Sequence, residues 1–129
     1  MNIRYAALTA ALSAAAATLV ACGGGAGEGT DLLGQIESGQ VTLGTKYDQP
    51  GLGLRNPDGT MSGLDVDVAT YVVNHIAKAN GWAEPTITWR ESPSAQRETL
   101  IQNGEVGAIA ATYSINKGRS ESVNFGGPY

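Results

Sequence analysis

Ser62-Gly63-Leu64-Asp65-Val66-Asp67-Val68-Ala69-Thr70-Tyr71-Val72-Val73-Asn74-His75-Ile76-Ala77-Lys78-Ala79-Asn80-Gly81 is the stretch that decides the fold. Ser62 followed three residues later by Asp65 has the spacing of a capping box, in which a hydroxyl satisfies an exposed helix N–H and an acid sits near the positive helix end. Leu64, Val68, Val72 and Ile76 recur at steps of four, flanked by Ala69, Val73 and Ala77, which predicts an amphipathic helix with this stripe inward; Asn80-Gly81 closes it. Strand-like runs lie on either side, Val41-Thr42-Leu43-Gly44-Thr45 before and, after Pro85, Thr86-Ile87-Thr88-Trp89 behind. Strand, helix and strand in that order imply a β-α-β unit and a parallel sheet.

Outward from this unit the pattern continues. Upstream, Asp31–Ser38 reads as a short helix with Leu32, Leu33 and Ile36 on one side, closed by Gly39, and Asn56-Pro57-Asp58-Gly59 suits a tight turn. Downstream, Ser92-Pro93 fits an N-cap followed by proline at the first helical position, so a helix is expected from there through Ala95–Asn103 to Gly104. Val106-Gly107-Ala108-Ile109-Ala110-Ala111 is nearly all apolar and reads as a strand buried on both faces. Asn116–Glu121 reads as one helical turn and Val123-Asn124-Phe125 as a final short strand. The whole is an α/β chain, β-α-β-α-β, whose sheet has an open edge and which reads as cut short at Tyr129.

Before the folded part, Met1–Tyr5 carries Arg4, and Ala6–Val20 is Ala-rich and uncharged, the n-region and h-region of an export signal. That run is shorter than the roughly 20 residues a helix needs to span a hydrocarbon core. It ends in Leu19-Val20-Ala21-Cys22, and Cys22 is the only cysteine, so no internal disulfide is possible. The string is similar to the bacterial lipobox, whose cysteine is acylated and becomes the new N-terminus; an ordinary secretory signal with an incidental Cys22 is the competing reading. On the lipobox reading, residues 1–21 are a lipoprotein signal peptide, residues 22–31 a Gly-rich tether and residues 32–129 the folded lobe. Each buried acyl CH₂ contributes about 0.8 kcal/mol, enough over several chains to hold the domain at a membrane face. The formal net charge is −4, with 8 Lys+Arg against 12 Asp+Glu, which excludes a phosphate-binding footprint for nucleic acid.

Ligands of open α/β sheets bind beyond the carboxyl ends of the strands. Lys46 follows the first strand there, Arg97 lies early after the loop of the second, and Thr112, Ser114 and Arg119 follow the third. The two arginines have plainer readings. Arg97 would be an exposed helix arginine paired with Glu98 or Glu105, and Arg119 a bridge to Glu121. Tyr47 and Tyr113 would wall a pocket or simply pack. Asp65 and Asp67 read as helix-start charges rather than metal ligands, and His75 as a surface or packing residue. Gly51-Leu52-Gly53 lacks the third glycine and the context of a dinucleotide loop.

Two motifs carry a family resemblance. Gly63-Leu64-Asp65-Val66-Asp67-Val68 running on through Val72, Val73 and Ile76, and Ala111-Thr112-Tyr113-Ser114-Ile115 with Arg119, Glu121, Phe125 and Pro128-Tyr129, resemble the extracellular solute-binding proteins of family 3, which serve ATP-driven importers of polar amino acids. The resemblance covers about Leu32 to Tyr129. Within the family, Gly44–Arg55 and Trp89–Arg97 are similar to glutamate-binding lipoproteins. The resemblance implies a periplasmic-binding-protein-like fold of which this chain holds most of lobe 1, with lobe 2 absent. It also implies a binding protein rather than an enzyme, with no cofactor or metal, glutamate as ligand and a membrane permease as partner.

The family pattern sets the α-carboxylate of the ligand against Thr112, Ser114 and Arg119, and leaves Lys46, Ser94 and Arg97 for the side-chain carboxylate. A guanidinium grips a carboxylate through two parallel hydrogen bonds. Burying an unpaired anion costs several kcal/mol, so a pocket for a dianionic amino acid needs more than one cation. The ammonium partner comes in the family largely from the second lobe, so a chain ending at Tyr129 is expected to bind glutamate weakly or not at all. Two other readings stay open: an enzyme on the same fold, such as a cyclohexadienyl dehydratase, which needs a carboxylate acid or base aimed into the cleft, and a truncated product without transport function.

Overall fold

The computed structural model describes residues 31–129. The expected signal peptide, Cys22 and the expected tether as far as Thr30 lie outside the described residues. In chain order the elements are α1 (Leu32–Glu37), β1 (Gln40–Thr45), β2 (Asp48–Gln49), β3 (Gly53–Arg55), β4 (Met61–Ser62), α2 (Leu64–Ala79), β5 (Thr86–Glu91), α3 (Arg97–Gln102), β6 (Ala108–Ile109) and α4 (Lys117–Ser120).

Alternate residues of an extended chain face the same way, and in β1 Val41, Leu43 and Thr45 are all buried. This strand is the centre of a three-stranded sheet of order β5-β1-β6. Both neighbours run parallel to it, with Leu43 opposite Trp89 on one side and Ala108 on the other. Parallel neighbours need crossovers; α2 joins β1 to β5, and α3 carries the chain from β5 across β1 to β6. The expected β-α-β-α-β run is therefore present. A small antiparallel sheet, β2-β3-β4, is inserted between β1 and α2, and the Asn56–Gly59 turn closes its second hairpin with Gly59 N–H donating to Asn56 O at 2.9 Å. The core is Ile36 of α1, Val41 and Leu43 of β1, and Val73 and Ala77 of α2. Asp31 caps α1, its Oδ1 accepting from Gly34 N–H at 2.8 Å.

Four expectations are corrected. First, Ser62 does not cap α2. It belongs to β4, opposite Leu54, and its hydroxyl faces Asn56 Oδ1 at 3.4 Å. The first helix N–H groups are satisfied instead by backbone: Leu64 N–H donates to Gly51 O at 3.0 Å and Asp65 N–H to Leu52 O at 3.1 Å. A carbonyl delivered by the preceding loop has displaced the local hydroxyl.

Second, the inward face of α2 is rotated from the expected stripe. Val66, Val73 and Ala77 are buried, with Ala69 and Ile76 packed beside them, whereas Leu64 is 51% and Val72 43% exposed. At 3.6 residues per turn, a row of i+4 steps slides by about 40° at each step and leaves the face it started on. The row Val66, Ala69, Val73, Ala77 mixes steps of three and four and stays in line. Val73→Ala is expected to lower stability by about 2 kcal/mol and Val72→Ala by no more than about 0.5 kcal/mol. Urea midpoints of the two variants measure this, and a lower midpoint for Val72→Ala than for Val73→Ala would place the core on the other face.

Third, Ser92-Pro93 starts no helix; α3 begins at Arg97. Ser92 is fully buried and its N–H donates to Thr45 O at 2.8 Å. Sheet pairing thus runs one residue past β5 and outcompetes capping. Fourth, the apolar run Val106–Ala111 is a strand only at Ala108–Ile109, and both are half-buried, while Val123-Asn124-Phe125 forms no strand. Val123 N–H folds back onto Arg119 O at 2.9 Å, closing the α4 turn.

Candidate functional site

The carboxyl ends of β1, β5 and β6 open onto one rim, and Arg97 is its best-buried charge at 1% exposure. As the first residue of α3 it sits directly below the loop that leaves β5. Its Nε donates to Ser92 O at 3.1 Å and its Nη1 to Thr112 O at 2.8 Å, so one side chain ties the exits of β5 and β6. Nη2 is buried with no hydrogen-bond partner. A buried donor left unmade costs about 1–3 kcal/mol, more for a charged group. Burial, the largest influence, pulls the Arg97 pKa below the usual guanidinium value. The plain reading of an exposed arginine paired with Glu98 or Glu105 is overturned, because Glu98 pairs with Arg119 at 3.2 Å and Glu105 with Arg90.

Arg119 lies in α4, whose N-cap Asn116 accepts from Arg119 N–H at 3.0 Å. Its Nη1 donates to Ser114 O at 2.8 Å. Glu98, not Glu121, is its ion-pair partner. The Glu98 carboxyl is held below its usual range, first by its own backbone N–H and further by Tyr113 and the two arginines. Both guanidiniums lie over one ring, that of Tyr113, at 5.0 Å for Arg97 and 4.8 Å for Arg119. The structure thus brings Arg97, Arg119, Thr112 and Ser114 together.

The other expected residues stand differently. Lys46 is not a free cation, because its ammonium is 3.0 Å from Asp48 Oδ1. Ser94 is exposed in the turn before α3. The Thr112 hydroxyl and the Gln49 side-chain amide are hydrogen-bonded at 3.2 Å, a contact across the rim that no spacing in the sequence announced. A second unannounced contact joins Tyr129 to Asp65, the Tyr129 hydroxyl donating to Oδ1 at 2.7 Å. Asp65 stands in the first turn of α2 as expected, yet it is 2% exposed, and its other oxygen has no partner. Burial and then Asp65 push the Tyr129 hydroxyl well above its ordinary pKa. The only sequence signal for this was an acid set between Leu64 and Val66.

Two cations, exposed hydroxyls and a buried unsatisfied guanidinium nitrogen make a rim suited to a small carboxylate-bearing molecule. The chain is 72% identical over 129 residues to the "Glutamate-binding protein GluB" of Corynebacterium efficiens, a match covering 100% of this chain and 44% of that protein. The chain therefore spans less than half the length of that relative. Among solved structures, the cysteine-binding protein from Campylobacter jejuni superposes with a TM-score of 0.65 at 23% identity, covering 76% of this chain and 38% of that one. The arginine-bound form of domain 1 from TmArgBP superposes with a TM-score of 0.61 at 18% identity, covering 74% of this chain and 70% of that one. These two structures share the fold, a lobe of the periplasmic-binding-protein kind. Residues 41–129 match the family profile itself, and with the two motifs and the parallel-sheet rim in place the chain belongs to the bacterial extracellular solute-binding proteins, family 3.

Proposed function

We propose that this chain is the ligand-receiving lobe of an exported, non-enzymatic binding protein that captures glutamate and delivers it to an ATP-driven importer in the membrane. The observation that carries the reading is the pairing of Arg97 and Arg119 at the strand ends, one of them buried without an acidic partner. Arg119 already has Glu98, so Arg97 is the charge that a ligand with a neutral side chain would leave uncompensated, whereas a dicarboxylic amino acid brings a second anion to it. The name of the relative from Corynebacterium efficiens points the same way. In this reading Thr112, Ser114 and Arg119 receive the α-carboxylate, and Arg97 with Ser94 and Lys46 the side-chain carboxylate. Lys46 must then exchange Asp48 for the ligand. Cys22 carries the lipid that keeps the protein at the extracytoplasmic face of the cell membrane, and the permease is the partner that receives the loaded form.

For TmArgBP, domain 1 has an arginine-bound form, so a chain of lobe size is a sensible object for a titration. NMR titration of residues 23–129 with glutamate, aspartate, glutamine and arginine tests the ligand class. Glutamate is expected to saturate shifts around Arg97 and Arg119 with a Kd near 1 mM, about 4 kcal/mol of binding free energy. Glutamine and arginine are expected to bind at least tenfold more weakly. Preferential binding of arginine would defeat the assignment.

A further inference from the structure

We propose that Tyr113 is a positioning residue of this site: its ring gathers the guanidiniums of Arg97 and Arg119 into the arrangement that receives two carboxylates. The inference rests on the acidic-ligand reading above and adds to it the element that fixes the two cations relative to each other.

The tripeptide Thr112-Tyr113-Ser114 contacts both arginines. Thr112 O accepts from Arg97 Nη1 at 2.8 Å, and Ser114 O accepts from Arg119 Nη1 at 2.8 Å. Between those carbonyls, the Tyr113 ring lies 5.0 Å from the Arg97 guanidinium carbon and 4.8 Å from that of Arg119. The two charges are therefore separated by no more than the sum of those distances. Like charges that close repel, strongly so where water is excluded. The face of an aromatic ring carries negative potential and attracts each cation, which offsets that repulsion in the absence of ligand.

The ring is itself held. Phe125 meets it edge-on, with centroids 5.1 Å apart and planes at 64°. The phenol oxygen is buried with no hydrogen-bond partner at standard geometry, and the π face is the part of Tyr113 that meets both guanidiniums. Burial, and then the Glu98 carboxylate, raise the Tyr113 pKa, which keeps the ring a neutral phenol. Thr112 O and Ser114 O each orient one arginine, and Glu98 acts electrostatically on both, whereas the Tyr113 ring lies against both guanidiniums.

The test compares Tyr113→Phe with Tyr113→Leu in the whole chain, with Tyr113→Met as a second ring-free variant should the leucine variant not fold. The arginine Nε–H resonances of Arg97 and Arg119 are read first, without ligand. They are expected to carry ring-current shifts in the wild type and in Tyr113→Phe, and to lose them in the ring-free variants. Glutamate affinity is then expected to stay within about twofold of wild type for Tyr113→Phe and to fall about tenfold for the ring-free variants, with the preference for glutamate over glutamine shrinking alongside. Rescue by phenylalanine separates ring placement from simple packing. Ring-free variants that keep both the arginine shifts and the affinity would overturn the proposal while leaving the glutamate reading standing. A wild-type chain with normal arginine shifts and no response to glutamate would overturn the ligand reading, and this proposal with it.

Discussion

Arg97→Lys is expected to abolish measurable glutamate binding although it keeps the positive charge. The ammonium of lysine is a point donor, whereas the Arg97 guanidinium reaches Ser92 O, Thr112 O and a third direction at once. A lysine that satisfies one carbonyl orphans the other, and an unmade buried hydrogen bond costs about 1–3 kcal/mol. The expected result is a loss of about 2 kcal/mol in stability and a fall in affinity of more than tenfold, taking a weak binder below detection. Urea denaturation and the NMR titration measure the two separately. If the variant lost stability but bound glutamate within twofold of wild type, Arg97 would be a strut between β5 and β6 and no part of the ligand site.

The largest effect on stability is expected from Gly63→Ala. Gly63 has φ of 116°, and a Cβ built there runs into the carbonyl and backbone nitrogen of Leu52. Backbone strain of this kind costs about 1–3 kcal/mol and overpacking about the same again, so about 4 kcal/mol is expected in total. Small domains have only about 5–15 kcal/mol to lose, which brings the variant close to unfolding. The collision is with backbone, which the structure cannot move aside: Leu52 O already accepts from Asp65 N–H at 3.1 Å at the start of α2. Gly59→Ala is the control. Gly59 has φ of 88° with nothing within 4 Å of a new Cβ, so it pays only the left-handed backbone term, about 1–2 kcal/mol. Far-UV circular dichroism against urea ranks the two, and equal midpoints would mean that the loop at Leu52 yields.

Much of the architecture was legible locally. Asp31–Ser38 and Asn116–Glu121 were readable as helical, and each opens on a short acceptor that caps its own first turn and needs no distant partner. Thr86–Trp89 was readable as a strand from its β-branched and aromatic run, and the structure extends it to Glu91. Among the candidate site residues, Arg97, Arg119, Thr112 and Ser114 were grouped because they follow strand ends, and the structure brings these four together. What the sequence withheld were the partners. Glu98 against Arg119, Gln49 against Thr112 and Tyr129 against Asp65 join residues brought together only by the crossovers.

By itself, then, the sequence determined the order of elements and the parallel α/β character, since helical and strand periodicities and turn residues act over a few positions and suit only a few folds. The tertiary structure alone decided which face of α2 is buried, where α3 begins and what Arg97 holds. Each of those was a contest between a local group and a distant one. Leu52 O displaced the Ser62 hydroxyl, Thr45 O drew Ser92 out of a helix cap, and Thr112 O took the guanidinium that Glu98 or Glu105 stood ready to pair. A backbone carbonyl delivered by a folded loop arrives already oriented, whereas a flexible side chain or a competing helix turn must first be ordered, and only the assembled fold fixes where that carbonyl lies.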